Sequence, residues 1–166
     1  MEENMKIAII MGSDSDFPIV EKGLEVLKKF GVEYDVRVLS AHRTPFEALE
    51  FAKNADKHYE LIIGAAGKAA HLPGVLAGVS CLPVIGLPIK SSTMDGLDSL
   101  LSIVQMPSGV PVATVAIDGA ENAALLAVQI LSVKYETLRA KYKDYKIEMA
   151  DKVKAKDKAL QVKLGR

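Results

Sequence analysis

Five short runs of apolar residues recur at fairly regular intervals along the chain. Each run is rich in Val and Ile and is mostly continuous rather than alternating with polar residues. This pattern is typical of strands buried on both faces of a parallel sheet, and the spacing is that of repeated strand–helix units. The predicted strands are residues 6–11, 34–39, 61–66, 83–88 and 112–117.

Helical patterns lie between the predicted strands. Apolar residues repeat at helical spacing from Ile19 to Phe30, and Gly31 follows as a stop signal. Pro45 suits the first position of a second helix. Three further helices are predicted at residues 69–79, 97–104 and 120–131. The alternation predicts an α/β fold, a three-layer sandwich with right-handed crossovers. Spacing and length favour a flavodoxin-like parallel five-stranded sheet in the order 2-1-3-4-5.

The C-terminal segment, from Lys134 to the end of the chain, instead forms one long polar helical pattern with a narrow apolar seam. No sixth strand follows, so the helix has no local core, and we expect it to dock on neighbouring subunits. We therefore divide the chain into a flavodoxin-like domain, residues 1–133, and a C-terminal helical extension of the same domain, residues 134–166. The seam consists of Tyr135, Leu138, Tyr142, Tyr145 and Met149.

Composition places the chain among globular proteins, with 166 residues, 49% apolar and 25% charged. The single cysteine, Cys81, excludes an internal disulfide framework and a cysteine metal cage. The three histidines, His42, His58 and His71, lack the spacing of metal ligands, so we expect no metal. Neither a membrane-spanning run nor a secretory signal is present, which favours the cytoplasm and no membrane partner.

The net charge of zero hides an uneven distribution of charges. Residues 1–133 carry a net charge of −6 (10 Lys and Arg against 16 Asp and Glu), and residues 134–166 carry +6 (11 against 5). Such a split indicates either a basic tail for nucleic acid or two parts of an oligomer that attract each other. Only 5% of the residues are aromatic and none is Trp, which argues against stacking of single-stranded nucleic acid.

Ligands of open parallel sheets bind beyond the carboxyl ends of the strands, so the segments after each strand are the first candidates for a site. The sequence GSDSD, beginning at Gly12, follows the first strand. Gly12 permits a tight turn, and the N–H groups that open a helix favour an anion. Ser13 and Ser15 can donate to phosphate oxygens, and Asp16 can accept from ribose hydroxyls. Taken alone, ordinary helix capping explains the segment at least as well.

The segment after the second strand, SAHRTP at residues 40–45, combines groups suited to chemistry. Arg43 suits bidentate recognition of phosphate, and His42 supplies an imidazole, the kind of side chain best suited to proton transfer near neutral pH. The alternative is that both are solvated loop residues.

After the third strand, Lys68 and His71 are the polar exceptions in a run of small residues, and His71 is either functional or a helix-start histidine bonded to a carbonyl. The long connection at residues 90–111 is a candidate binding loop.

Four motifs in order, MGSDSD, SAHRTP, AAHLPG and GLDSLLSIVQMPSGVPVATVAI, resemble the N5-carboxyaminoimidazole ribonucleotide mutases of purine biosynthesis. The resemblance runs from about Lys6 to Leu131. It implies a flavodoxin-like subunit, a homo-octamer, a small-molecule nucleotide substrate, and no ATP, metal or organic cofactor. It also implies that His42 carries the proton. The substrate-binding residues it implies are Ser13, Asp16 and Arg43, with Ser15 and Ser40 near the phosphate and His71 lining the pocket.

The reaction implied by the resemblance moves a carboxylate from the exocyclic nitrogen of the aminoimidazole to ring carbon 4. It proceeds by loss of CO2, trapping of CO2 and recarboxylation, and one imidazole can donate and later accept the proton. The site must exclude water while CO2 is held. The weaker candidates for the pocket wall are Gly12, Ala41, Ala69, Ala70 and Leu72.

Two positions depart from the motif GAGGAAHLPG that is usual in this family, because Ala65 and Lys68 replace glycines. A related branch that carboxylates aminoimidazole ribonucleotide with free CO2 resembles A-G-R here. Ala66-Gly67-Lys68 is chemically similar to that motif and favours the carboxylase. SAHRT and HLPG favour the mutase. A non-catalytic receiver-type or nucleotide-binding module is the alternative from another class, but the end of the third strand lacks the Asp that a receiver needs.

Overall fold

The five predicted strands form one parallel sheet in the computed structural model, which describes residues 5–165. The strand order is β2-β1-β3-β4-β5, which confirms the predicted flavodoxin-like order. The N-terminal residues 1–4, part of the segment predicted not to be a secretory signal, lie outside the described residues. The strands are β1 (Lys6–Met11), β2 (Glu33–Val38), β3 (Ile62–Gly67), β4 (Val84–Ile89) and β5 (Ala113–Thr114).

Six α-helices accompany the sheet within the described residues, and their sequence signals explain where they begin and end. Proline stands in the first turn of α1, α2 and α3, where its missing N–H costs no helical hydrogen bond. Gly31 ends α1 with φ of 76°, a left-handed conformation that glycine adopts without a steric penalty. The helices are α1 (Phe17–Phe30), α2 (Pro45–Asn54), α3 (Leu72–Val79), α4 (Leu97–Val104), α5 (Ala120–Leu131) and α6 (Glu136–Lys163).

The hydrophobic core lies on both faces of the central strands. On one face, Ala8 and Ile10 of β1 belong to a buried cluster with residues of α2 and α3. On the other face, Ile9 lies beside α1 and the start of α5, where Val20 and Ala123 are buried. Helices on both faces confirm the three-layer sandwich and leave the carboxyl edge of the sheet open.

Three details differ from the predicted pattern. β2 is half-buried to exposed because it is an edge strand, so it does not show the burial on both faces expected of it. β5 pairs with β4 at only two positions, although the Val115 and Asp118 amides still donate to the Gly86 and Pro88 carbonyls of β4 at 3.1 and 2.8 Å, and Asp118 lies in a turn with φ of 56°. α3 begins at Leu72 rather than Ala69, because residues 68–71 form an irregular turn.

The chain divides into two compact units, the first ending at Val128 and the second beginning at Gln129. The second unit contains the end of α5 and all 28 residues of α6, the predicted long C-terminal helix. Along the predicted seam, Tyr135 and Leu138 are buried, Tyr142 and Tyr145 are half-buried, and Met149 is exposed. No helix within residues 5–165 combines the length and apolar character needed to cross a membrane.

Candidate active site

A cleft of about 650 Å³ opens at the carboxyl ends of β1, β2, β3 and β4. It lies where the strand order reverses between β1 and β3, the position that parallel sheets use for ligands. Four separate loops line it, and most of the predicted site residues meet there. The lining residues are Gly12, Ser13, Ser15, Asp16, Ser40, Ala41, His42, Arg43, Ala66, Gly67, Lys68, Ala69, His71, Leu72, Ile89, Lys90, Ser91 and Ser92.

The loop after β1 presents two hydroxyl groups and a carboxyl group to the cleft. Ser13 caps a short 3₁₀ turn, Asp14–Asp16, by accepting a hydrogen bond from the Ser15 amide at 3.3 Å. The two serine hydroxyls are also hydrogen-bonded to each other at 2.9 Å. The two serines therefore cap the turn and also line the cleft, where their hydroxyl groups can bind a polar ligand.

Asp16 is half-buried in the cleft, and its surroundings change its ionisation. Burial raises the pKa of the Asp16 carboxyl above its ordinary value, and hydrogen bonds from Ser15 and Ser13, together with the charge of Arg43, oppose that rise only in part. The carboxylate is thus incompletely stabilised by its own surroundings, which favours a ligand that can donate hydrogen bonds to it.

Ser40 organises the loop after β2. Its hydroxyl accepts hydrogen bonds from the backbone amides of Arg43 at 3.1 Å and His42 at 3.4 Å. The Thr44 hydroxyl accepts from the Ser40 amide at 2.9 Å. The Arg43 guanidinium donates to the Gly12 carbonyl at 2.7 Å and so ties this loop to the one after β1. The SAHRTP sequence therefore builds a turn that fixes His42 and Arg43 at the cleft.

His42 and His71 are in direct contact. The Nε2 atom of His42 lies 2.7 Å from the Nδ1 atom of His71, and the rings meet edge to face with centroids 4.9 Å apart. One of these two nitrogens must donate and the other accept, so the pair shares a proton between them. Both side chains are exposed to the cleft. The sequence singled out each histidine but gave no sign of their contact, because the two lie far apart along the chain.

The loop after β3 supplies the floor and one wall of the cleft. Ala69 and Leu72 line it as predicted, together with Lys68. Ala70 does not lie among the lining residues: it is 1% exposed and belongs to the hydrophobic core cluster. The irregular turn before α3 directs the Ala70 methyl group inward, while its neighbours Ala69 and His71 stay exposed.

The loop after β4 contributes Lys90, Ser91 and Ser92, which the sequence did not single out within its long connection. The Lys90 amide donates to Asp118 Oδ1 at 2.8 Å, and its ammonium pairs with Asp95 at 3.1 Å. The length of the connection after β4 was the one sequence signal for this wall. No group of three His, Cys, Asp or Glu side chains in the part of the chain that the structure describes is arranged to hold a metal ion.

Fold and cleft together define an α/β protein with a polar, histidine-containing site at the switch point of a flavodoxin-like sheet. The AIR carboxylase family model matches residues 6–152, and the chain belongs to this family. The chain is 55% identical to the N5-carboxyaminoimidazole ribonucleotide mutase of Pyrococcus horikoshii over 160 residues, 96% of this chain and 90% of that protein. It is 53% identical to the mutase of Thermotoga maritima over 157 residues, 94% of this chain and 92% of that protein.

The solved structure of PurE from Treponema denticola is similar to the whole fold. It superimposes with a TM-score of 0.86 at 34% identity and covers 94% of this chain and 98% of its own. The family resemblance drawn from the four motifs is thereby confirmed, and so is the flavodoxin-like architecture.

Proposed function

We propose that this chain is the mutase of purine biosynthesis that converts N5-carboxyaminoimidazole ribonucleotide to 4-carboxy-5-aminoimidazole ribonucleotide. The observation that carries the proposal is the His42–His71 contact of 2.7 Å within a cleft rich in hydroxyl groups, in a chain 55% identical to a named mutase. The cleft offers both a proton carrier and groups suited to a nucleotide.

The chemistry requires one proton to be delivered and one to be removed. The substrate carries its carboxylate on nitrogen, and protonation of that nitrogen breaks the N–C bond and releases CO2. The freed aminoimidazole is an enamine, and its carbon 4 attacks the trapped CO2 to form the new C–C bond. The sp3 carbon then loses its proton and regains aromaticity. An imidazolium that donates the first proton and accepts the second returns to its starting state.

We assign the proton transfers to His42. While its Nε2 atom is engaged with His71, Nδ1 is the His42 nitrogen left to exchange a proton with the substrate. His71 then orients the His42 ring and fixes which nitrogen bears hydrogen. Ser40 supports this arrangement, because it accepts hydrogen bonds from the backbone of the turn that carries His42.

The remaining cleft residues bind the nucleotide in this proposal. Ser13, Asp16 and Arg43 contact the substrate, and Ser15 and Ser40 lie near its phosphate. Arginine and hydroxyl donors are suited to phosphate oxygens, and a carboxylate is suited to ribose hydroxyls. Gly12 and Ala41 are small and leave room for the ligand. Ala69 and Leu72 form an apolar wall of the cleft, which keeps water away from the released CO2.

No metal or organic cofactor enters this reaction scheme, because CO2 is released and recaptured in one site and the proton is recycled. We further propose that the subunits form a homo-octamer in the cytoplasm, with residues 134–166 as the helical extension that contacts neighbouring subunits. The charges of −6 on residues 1–133 and +6 on residues 134–166 support that arrangement, since opposite charges on neighbouring subunits attract.

The second candidate function is carboxylation of aminoimidazole ribonucleotide by free CO2, which Lys68 in the cleft favours. Two assays with the purified protein separate the candidates. One supplies the N-carboxylated substrate, and the other supplies aminoimidazole ribonucleotide with bicarbonate at ordinary levels. The mutase forms product from the first substrate. Product from the second substrate alone would overturn the proposal.

A further inference from the structure

Lys68 occupies a backbone position that a lysine rarely adopts. It directly follows β3, and its φ is 57°, in the left-handed region where glycine is the usual residue. A side chain kept in such a conformation beside a ligand cleft points to a functional use of that side chain. The Lys68 side chain is exposed and lines the cleft.

Three cationic side chains line the cleft within residues 5–165, and two of them already have partners. The Arg43 guanidinium donates to the Gly12 carbonyl at 2.7 Å, and the Lys90 ammonium pairs with Asp95 at 3.1 Å. Lys68 has no hydrogen-bond or ion-pair partner among the described residues. Its ammonium therefore has all three N–H donors available for an anionic group of a ligand, in addition to the N–H groups of Arg43 that the protein itself does not use.

The substrate and the product of the proposed reaction each carry two anionic groups, a phosphate and a carboxylate. The hydroxyls of Ser13 and Ser15 and the Arg43 guanidinium lie on the loops after β1 and β2 and suit the phosphate. Lys68 lies on another loop, shortly before His71, which touches His42 at 2.7 Å. The carboxylate moves between two atoms that exchange a proton with His42, so it must stay close to this histidine pair.

We propose that Lys68 binds the carboxylate that the reaction transfers, and that its ammonium holds this group beside His42 and His71. The role rests on the proposed function, and it makes Lys68 a residue that selects the carboxylated nucleotides. The ammonium binds the carboxylate in the substrate and in the product. Its contribution is to the binding of these nucleotides rather than to the chemical step, so Lys68 lowers KM and contributes little to kcat.

Binding of two nucleotides by Lys68→Met separates the carboxylate from the rest of the ligand. The first is 4-carboxy-5-aminoimidazole ribonucleotide, and the second is 5-aminoimidazole ribonucleotide, which shares the ring, the ribose and the phosphate. Calorimetry should show the first bound about tenfold more weakly than by the unaltered protein, the usual loss for a charged hydrogen bond, and the second within about twofold. Lys68→Arg, which keeps a cation, should restore binding of the first.

Two further variants serve as controls for the binding measurements. Lys68→Gly removes the ammonium from a backbone that suits glycine, so it should fold and match Lys68→Met. Lys22→Met removes an exposed lysine of α1 and should bind both nucleotides as the unaltered protein does. Equal weakening of both nucleotides by Lys68→Met would overturn the proposal, since it would place the ammonium at the phosphate. Unchanged binding of both would overturn it as well.

Turnover of the unaltered protein distinguishes this proposal from the function on which it rests. An active mutase whose Lys68 variants bind both nucleotides normally overturns the role of Lys68 alone. A protein without mutase turnover that still loses only the carboxylated nucleotide in Lys68→Met overturns the proposed function and leaves the carboxylate contact standing. Among active variants, a KM raised about tenfold with an unchanged kcat supports the role, and a loss confined to kcat contradicts it.

Discussion

At the scale of single residues, the proposed proton transfer in the cleft rests on the contact between His42 Nε2 and His71 Nδ1 at 2.7 Å. The two histidines come from the ends of β2 and β3, and β1 lies between those strands in the sheet. The residue identities at the strand ends were enough to nominate His42, Arg43, Ser13 and His71. Their pairing depends on how far each loop reaches across β1, and no local pattern of residues encodes that distance.

His42→Asn should abolish turnover and leave the fold intact, because asparagine keeps a polar side chain but cannot carry a proton at neutral pH. We expect kcat to fall by at least about 100-fold, the usual contribution of a general acid–base group, with nucleotide binding largely retained. Steady-state kinetics and calorimetry on the same preparation measure both quantities. Retained turnover would remove His42 from its proposed role.

Asp16→Asn should make the protein more stable at pH 7 and weaken nucleotide binding. Because burial raises the pKa of Asp16 in the folded state, its ionised form is unfavourable there, and its contribution to stability improves as the pH falls. The variant should therefore be more stable than the unaltered protein at pH 7. This gain should shrink as the pH falls through the raised pKa toward about 4, the ordinary value in the unfolded chain.

Urea unfolding at pH 7 and at pH 4 measures that change, and Asp14→Asn is the matched control because Asp14 is exposed in the same loop. Nucleotide binding by Asp16→Asn should weaken by about tenfold, because the proposed charged acceptor for the ribose hydroxyls is lost. A variant less stable than the unaltered protein at pH 7 would contradict the stated effect of burial on Asp16.

At the scale of elements, apolar runs and proline and glycine signals placed all five strands and most of the helix ends. The pattern of apolar residues did not predict strand burial, strand length or the start of α3 where these depend on the tertiary structure. β2 lies at the sheet edge, and its alternation of charged residues such as Asp35 and Arg37 with apolar ones is the local sign of that exposure. β5 pairs with β4 at only two positions and is shorter than its apolar run. The start of α3 was placed too early because the helix-forming residues Ala69 and Ala70 lie in a turn that also contains the left-handed Lys68.

Close contact between α1 and the start of α5 should make Gly23 intolerant of a side chain. A Cβ atom at Gly23 would lie 2.8 Å from the carbonyl oxygen of Ala120, and a backbone atom cannot easily move away. Gly23→Ala should therefore lower the free energy of unfolding by about 1–3 kcal/mol, the usual cost of overpacking.

Gly78→Ala in α3 is the matched control, because a Cβ atom there would meet nothing within 4 Å. Alanine favours a helix over glycine by about 0.5–1 kcal/mol, so this variant should be slightly stabilised. Urea unfolding curves of both variants test the pair. A stabilised Gly23→Ala would contradict the close packing of α1 against residue 120.

At the scale of the whole molecule, the charge distribution separates an acidic body from a basic C-terminal helix. Residues 134–166 hold 11 of the 21 Lys and Arg residues, and α6 occupies most of that segment. The sequence predicted this helix correctly because its polar pattern runs unbroken over many turns. What the helix contacts in an assembly depends on surfaces of other subunits, which a single chain does not reveal.

Deletion of the residues after Lys134 should reduce the size of the assembly, because the helical extension is proposed to hold acidic neighbouring subunits together. Size-exclusion chromatography with light scattering should show a species much smaller than an octamer. Circular dichroism of the shortened chain checks that the sheet still forms. A folded shortened chain that remains an octamer would refute the role given to the extension.

Transfer of the carboxylate within one cleft should keep its carbon in the product, and isotope labelling measures this retention. The N-carboxylated nucleotide is labelled with ¹³C in its carboxylate and converted in buffer containing unlabelled bicarbonate, and the product is analysed by mass spectrometry. Most of the product should carry ¹³C at the carboxylate on carbon 4, because the proposed mechanism recaptures the CO2 before it escapes. Product that carries carbon from the bicarbonate instead would contradict the mutase mechanism.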